Sequence, residues 1–513
     1  IGFPRSILFI DYFLTFFLVS GFRSSKRIYL QIIRKRPLEG ERTLIVGAGD
    51  AGVEVVRGML SSGEDYLPVG FVDDDPGKIG ATIHGIKVLG KREEIPKLVD
   101  EYGVESILIA MPSLPSKIIR ESVELCRESG IRKIKIIPSL MEIIDGKVTL
   151  SDIRELSLVD LLGREPVEID TKEIENYIKG KRVLVTGAGG SIGSELCSQV
   201  LNFNPKTLIM LDRDETLLFR TYMKLEDLSI EIIPVVGDVK DESKIERIFK
   251  ERKPEVVFHA AAYKHVPIME DFPDEAVKNN IFGTQVLGEA SVKSGVEKFV
   301  LISTDKAVNP TSVMGATKRV AEMVIQNLNK KGRTRLVTVR FGNVLGSRGS
   351  VITIFEEQIK KGGPVTVTHP DMERYFMMTS ESILLVLQAG AMGKGGEIFV
   401  LDMGEPVKIE DLAKEMIRLS GYEPDKDIPI VYTEPRPGEK FFEDILTAEE
   451  GTVTTKHEKI YKARMDSSFT EDELSNHLKR LKELAKSSAK EEIQGLLQKI
   501  VPNYKPLMNI HSR

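Results

Sequence analysis

The chain has 513 residues, 41% of them hydrophobic and 29% charged, with a formal net charge of -5; it is too long for one ordinary core and suits about three folding units. That balance, with no dense basic stripe interleaved with aromatics, excludes nucleic acid as an expected partner. Cys126 and Cys197 are the only cysteines and lie far apart in helical patterns, so no disulfide framework or thiolate cage is supported, no histidine spacing suggests a metal, and a reducing cytoplasm is the simplest setting.

The first residue is Ile1 rather than Met, which suggests a processed chain or one lacking its natural start. Ser6 to Phe22 is an apolar run interrupted by Asp11 and a few small polar residues, and Arg23, Lys26, Arg27, Arg34, Lys35 and Arg36 follow it. About 17 residues lies at the lower edge of a membrane span, and the basic flank would put the rest of the chain on the cytoplasmic side. The expectation for residues 1–40 is the remnant of a transmembrane helix with a basic linker. It implies localisation at the cell inner membrane with cytoplasmic catalytic domains; a buried or interfacial helix is the alternative.

From Thr43 an apolar strand runs into Gly47-Ala48-Gly49-Asp50-Ala51-Gly52, a helical stretch follows, and Val69 to Val72 ends in Asp73. Strand, Gly-x-Gly-x-x-Gly turn, helix and a later acid form the dinucleotide fingerprint in its expected context. Residues 41–163 are therefore expected to form a first Rossmann-like domain of nucleotide- or CoA-binding type. Nothing after its strands looks catalytic, so a connecting or regulatory module with a weak or empty pocket is the competing reading.

Residues 164–181 read as a linker in which Asp170 and Glu173 are spaced as a helix capping box. The strand and helix alternation then restarts. Val183 to Val185 leads into Thr186-Gly187-Ala188-Gly189-Gly190-Ser191-Ile192-Gly193, and later strands end at Asp212, Asp238, His259, Ser303 and Arg340. The expected fold is α/β, two Rossmann-like doubly wound parallel-sheet domains in series, the second (182–460) carrying a smaller α/β substrate lobe over Val365 to Asp444. The tail, 461–513, is helical: Thr470 and Glu473 form a capping box ahead of Leu474, Leu478 and Leu481, a stripe suited to packing or to contact within a homo-oligomer.

Ligands of such sheets gather at the carboxyl ends of the strands, where the informative motifs of the second domain fall. Gly187, Gly189, Gly190, Ser191, Ile192 and Gly193 suit a pyrophosphate. Asp212 can accept from ribose hydroxyls and favours NAD, whereas Arg213 beside it could pair with a 2'-phosphate, so NADP stays open. Asp238 and Val239 suit the adenine edge, Ala260, Ala261 and Ala262 offer small side chains along the cofactor, and Asn280 completes the set. Thr304, Asp305 and Lys306 place a hydroxyl, an acid and an amine at one strand end. Lys318 follows Met314 by one helical turn, so the two share a face. A thioether has no exchangeable proton, so Met314 cannot serve in acid-base chemistry.

On these motifs, above all Ser303-Thr304-Asp305-Lys306-Ala307-Val308-Asn309-Pro310-Thr311 with Met314-Gly315-Ala316-Thr317-Lys318, the chain resembles extended short-chain dehydrogenase/reductases. More narrowly it resembles the membrane-anchored UDP-N-acetylglucosamine 4,6-dehydratases of the polysaccharide biosynthesis and capsule protein family. The resemblance implies oxidation of the sugar at C4, loss of the C5 proton and the C6 hydroxyl, and hydride return to C6. It places Asp305 as the acid at C6 and Lys306 as the base at C5, in roles that could be reversed or shared. Lys318 would hold the nicotinamide ribose, and the C4 hydroxyl proton would go through Thr304 to water or to Asp305 itself. Asn343, Arg374 and Arg436 would contact the substrate's diphosphate, and Lys264 would also bind the substrate. A 4-epimerase of the same fold and a non-catalytic nucleotide-sensing scaffold are the rival expectations.

Overall fold

The computed structural model describes residues 5–33, 40–62, 65–114, 116–138, 149–161, 167, 169–225, 230–444, 451–463 and 470–507. The chain divides into two compact units, Ile1–Gly163 and Arg164–Arg513.

The first unit opens with the helix Arg5–Ile33, which runs unbroken through Asp11 and Arg23. Among the described residues no helix is long and apolar enough to cross a membrane, which corrects the transmembrane expectation for Ser6 to Phe22. Arg34, Lys35 and Arg36 lie outside the described residues. The strands are β1 (Glu41–Val46), β2 (Tyr66–Val72), β3 (Thr82–Ile83), β4 (Ile86–Gly90), β5 (Ser106–Ile109), β6 (Ile134–Ile136) and β7 (Arg154–Glu155), in spatial order β3-β4-β2-β1-β5-β6-β7. The five central strands are parallel, and β3 and β7 are antiparallel edges. The sheet order reverses between β1 and β5, so a crevice opens above the carboxyl ends of those strands.

The second unit is built on β8 (Arg182–Thr186), β9 (Thr207–Asp212), β10 (Glu231–Val236), β11 (Val256–His259), β12 (Lys298–Ile302) and β13 (Arg335–Arg340). The parallel order β10-β9-β8-β11-β12-β13 continues into the parallel strand Ile398–Leu401 and then two antiparallel strands, Ile460–Ala463 and Thr452–Thr454. Side chains alternate across it: Leu184, Ile209 and Leu211 bury on one face, and Val183, Val185, Leu208 and Met210 on the other. Because both faces are covered by helices, the strands read as continuous apolar runs, which is why they are visible in the sequence. Smaller paired strands (Val365–Val367 with Ile430–Tyr432, Glu373–Arg374 with Val407–Lys408) form the lobe beside this sheet.

The linker and tail belong to this unit's core. Asp170 caps the helix Thr171–Ile178 by accepting from the Glu173 N–H, 3.1 Å away. The reciprocal half of the expected box is replaced, because the Glu173 carboxylate takes Gln388 and Lys456 instead. At the tail the box is complete between Thr470 and Glu473, and Leu474, Leu478, Leu481 and Leu484 pack with the helix Val313–Asn329 in one cluster.

Candidate active site

β8 hands the chain to the glycine turn, and the turn to the helix Ser191–Leu201. Gly187 has φ +69°, and a Cβ there would meet the Ala261 nitrogen at 2.7 Å; a Cβ at Gly193 would meet the Gly187 carbonyl oxygen at 1.9 Å. Only glycine lets strand, turn and helix approach this closely. Gly189 N–H donates to Asp212 Oδ2 at 2.8 Å and Asp214 N–H to Oδ1 at 2.9 Å, fixing the carboxylate beside the turn. Arg213 is occupied elsewhere, its guanidinium 4.6 Å from the centroid of the Tyr263 ring and donating to the Tyr263 hydroxyl. The strand end therefore presents an acceptor suited to a ribose diol rather than a cation for a 2'-phosphate. A helix N-terminus free of acidic residues in its first turn stands ready for the pyrophosphate.

The remaining expected cofactor residues divide into lining and scaffold. Ala260 and Ala261 back the glycine turn, and Asp238 Oδ1 accepts the Lys240 N–H at 2.9 Å while Val239 is buried against Gly283. Asn280 sits in a π-helical segment, Val277–Gly283, and its amide clamps the Tyr263 backbone on both sides, at 2.8 and 3.1 Å, with a third bond to Thr317. It holds the loop's shape. His259 likewise joins strand ends: Thr284 Oγ1 donates to the Asn280 carbonyl, so it accepts from His259 Nε2, leaving Nδ1 to accept from Thr186 Oγ1 at 2.7 Å. Burial first, then the charge of Lys318, lower the His259 pKa to about 3, so the ring is neutral.

At the end of β12, Ser303 and Arg340 converge on the buried Glu322. Ser303 Oγ donates at 2.6 Å, and the Arg340 guanidinium makes a two-pronged contact at 2.8 and 2.7 Å. Burial pushes the Glu322 carboxyl up, but the Arg340 and Arg319 charges and the Ser303 bond outweigh it and bring the pKa down to about 2. This network pins the strand end from which the reactive residues project. Asp305 Oδ1 accepts from Thr304 Oγ1 (2.8 Å), the Lys306 N–H (2.9 Å) and Lys306 Nζ (3.0 Å); its Oδ2 is buried and makes no protein hydrogen bond. Lys306 Nζ also lies 3.3 Å from Asn343 Oδ1 and 3.5 Å from Glu443 Oε1. Burial works against the lysine's charge, yet Asp305 and Glu443 prevail over it and over the nearby Arg374, raising its pKa.

The helix Val313–Asn329 meets this loop end on. A Cβ at Gly315 would stand 2.2 Å from the Lys306 carbonyl oxygen, so glycine is what lets the helix start beside the reactive pair. Met314 is buried next to it, and Lys318 Nζ donates to the Ile302 carbonyl at 2.7 Å, with burial lowering its pKa to about 8 despite Glu322.

Of the expected substrate contacts, Asn343 and Arg374 reach this site. Asn343 touches Lys306, and Arg374 Nε lies 3.8 Å from Glu443 while its Nη1 holds the Glu373 and Phe441 carbonyls. Lys264 is committed to the Arg348 carbonyl at 2.9 Å, and Arg436 is exposed on its loop. Sequence reasoning missed Glu443 and Arg348. Arg348 donates to the Gly189 carbonyl, and its N–H to Ser191 Oγ at 3.1 Å, from a glycine-rich loop whose Gly346 and Gly349 were the available signal. No local pattern marks Glu443.

This geometry has relatives. Residues 183–465 match the polysaccharide biosynthesis protein family, and residues 2–138 match a CoA-binding domain family. The probable polysaccharide biosynthesis protein EpsC of Bacillus subtilis is 52% identical over 84% of this chain and 73% of its own length. The capsular polysaccharide biosynthesis protein CapD of Staphylococcus aureus is 47% identical over 90% of this chain and 78% of its own. A UDP-glucose 4-epimerase of Rickettsia akari is 35% identical over 56% of this chain and 83% of its own. Among solved structures, Pen from Bacillus thuringiensis superposes with a TM-score of 0.53 at 34% identity, over 57% of this chain and 89% of its own. The glycine turn, the acid-amine pair and the sheet that carries them all lie within the longer matched stretch, and by that match the chain belongs to the polysaccharide biosynthesis protein family.

Proposed function

We propose that the second unit is an NAD-dependent nucleotide-sugar 4,6-dehydratase acting on UDP-N-acetylglucosamine. The observation that carries this reading is the Asp305–Lys306 couple at the end of β12, facing a helix whose first turn presents Met314 where proton transfer would otherwise use a phenol. When bound, NAD supplies the oxidant that takes hydride from C4 and returns it to C6. The chain's part is to move protons. Asp305 Oδ2, which makes no protein hydrogen bond, has capacity for the C6 hydroxyl, and Thr304 can pass the C4 proton on to water, since Asp305 must keep its own proton for the elimination. A carbonyl at C4 acidifies C5; Lys306 removes that proton and Asp305 protonates the departing C6 hydroxyl, so water leaves, and the Lys306 ammonium then gives a proton back to C5 as hydride reaches C6. At rest the couple carries its proton on the lysine. One transfer across the 3.0 Å bond yields neutral amine and carboxylic acid, the pair the elimination needs, and exclusion of water by bound substrate favours that neutral form. Asn343 and Arg374 are assigned to the diphosphate.

The test incubates the protein with UDP-N-acetylglucosamine in deuterated water and follows the sugar by NMR. A 4-keto-6-deoxy product with deuterium at C5 is expected, and Lys306→Ala should lose C5 exchange with kcat down by about a thousandfold. Appearance of UDP-N-acetylgalactosamine would instead support a 4-epimerase, the reaction for which the 35% identical Rickettsia relative is named. Binding without any conversion would support a scaffold.

A further inference from the structure

The first unit contains a cavity of about 1050 Å³ above the carboxyl ends of β1, β2 and β5, lined by Gly47, Gly49, Asp73 and Met111 among others. That size takes a nucleotide or dinucleotide. Its acid is held as in the second unit: Ala48 N–H donates to Asp73 Oδ2 at 2.8 Å and Asp75 N–H to Oδ1 at 3.0 Å. The Asp212 carboxylate receives its two backbone donors from the corresponding places, a glycine-turn N–H and the N–H two residues on, at 2.8 and 2.9 Å. The turn is built for the same approach. A Cβ at Gly52 would lie 2.1 Å from the Gly47 carbonyl oxygen, whereas one at Gly49 would meet nothing within 4 Å, so Gly49 leaves the turn's backbone open to the cavity.

Coenzyme A, the ligand that the matched domain's name implies, carries a phosphate on its ribose, and the lining does not fit one. Each cation on the cavity wall is already matched to a carboxylate on the same wall: Arg57 to Glu54 at 2.6 Å, Lys78 to Asp73 at 3.0 Å and Arg92 to Asp74 at 2.6 Å. Asp50 at the helix start then leaves the lining with an excess of negative charge. Asp50 and this wall oppose phosphate in general, but NAD carries only its diphosphate, partly offset by the nicotinamide cation, whereas coenzyme A adds a ribose phosphate dianion, so the wall disfavours coenzyme A more. The geometry points to a second nucleotide site in the first unit, one that reads the free 2',3'-diol of an adenosine dinucleotide such as NAD through Asp73 and discriminates against the 3'-phosphorylated ribose of coenzyme A.

Hydrogen exchange read by mass spectrometry on the full chain separates the two units, because residues 44–52 and 184–193 report on different glycine turns. NAD is expected to protect 44–52, and coenzyme A to need at least a tenfold higher concentration for the same effect. Asp73→Asn should raise the half-protecting NAD concentration at 44–52 about tenfold, the loss of one charge-assisted hydrogen bond, and leave protection at 184–193 unchanged. Lys78→Ala, which frees the Asp73 carboxylate, should keep or strengthen NAD protection. Protection of 44–52 by coenzyme A at a lower concentration than NAD, abolition of binding by Lys78→Ala, or no protection by NAD would each overturn the assignment. Failure at 44–52 with protection intact at 184–193 leaves the dehydratase reading untouched.

Discussion

Lys306 rests as an ammonium because two carboxylates flank it, and Glu443 is the one that sequence reading did not supply. Its influence can be isolated. Replacing Glu443 by Gln removes one of the charges that raise the lysine's pKa and leaves Arg374 pressing it down. The lysine's pKa then falls, so the basic limb of the kcat/KM profile, on which the couple loses its single proton, should move down by about one pH unit, measured across pH 7 to 11 at fixed ionic strength. A limb that stays put would show that Lys306 does not hold that proton. Asp305 and Lys306 were legible because they are adjacent at the end of an apolar strand. Glu443 stands between Phe442 and Asp444, far along the chain. It arrives only through folding, as Lys440 Nζ bonds the Val308 carbonyl at 2.9 Å and Thr311 Oγ1 the Gly438 carbonyl at 2.9 Å.

At the scale of elements, the helix Val313–Asn329 shows why a propensity argument fails at a site. Glycine inside a helix ordinarily costs about 1 kcal/mol relative to alanine, so Gly315→Ala would stabilise an isolated helix. Here the added methyl would press on the Lys306 carbonyl oxygen 2.2 Å away, backbone against which nothing can swing aside. The variant is expected to melt at a lower temperature and to lose about a hundredfold in kcat, the scale of a reactive group displaced by a fraction of an ångström; calorimetry and steady-state kinetics together check it. The parallel strands were readable from composition because both their faces are buried. The run Ser6 to Phe22 reads as spanning because an apolar run resembles a membrane segment whether or not its helix is apolar enough to cross one. The Asp170 box was half right: spacing predicts the cap, but the partners of the Glu173 carboxylate come from Gln388 and Lys456, distant in sequence.

For the whole molecule, the buried ionic and imidazole groups fix how the second unit responds to acid. Glu322 titrates near 2 in the folded chain against about 4.3 unfolded, so its contribution is present above 4.3 and lost as pH falls towards 2. His259 titrates near 3 against about 6.5 unfolded; its neutral form is favoured by folding, so stability is lost as pH falls from 6.5 towards 3. Melting temperature should therefore decline steadily below pH 6.5 and more steeply below about 4.3. Glu322→Gln, which strands the Arg340 charge in the core, should cost about 3 kcal/mol at neutral pH and make the steeper part shallower, because Asp274 and Glu275, also held low by Lys278, keep a share of it. A melting curve series without that change of slope would discard the account.

The helix Lys490–Ile500 packs against the helix that starts at the reactive pair, and the helix Glu471–Ser487 packs against Lys490–Ile500 in the same apolar cluster. Anyone trimming this protein to a minimal catalyst should find that the far end of the polypeptide is no ornament: remove it, and a greasy trench opens directly beneath the machinery, inviting clumping long before any substrate is turned over.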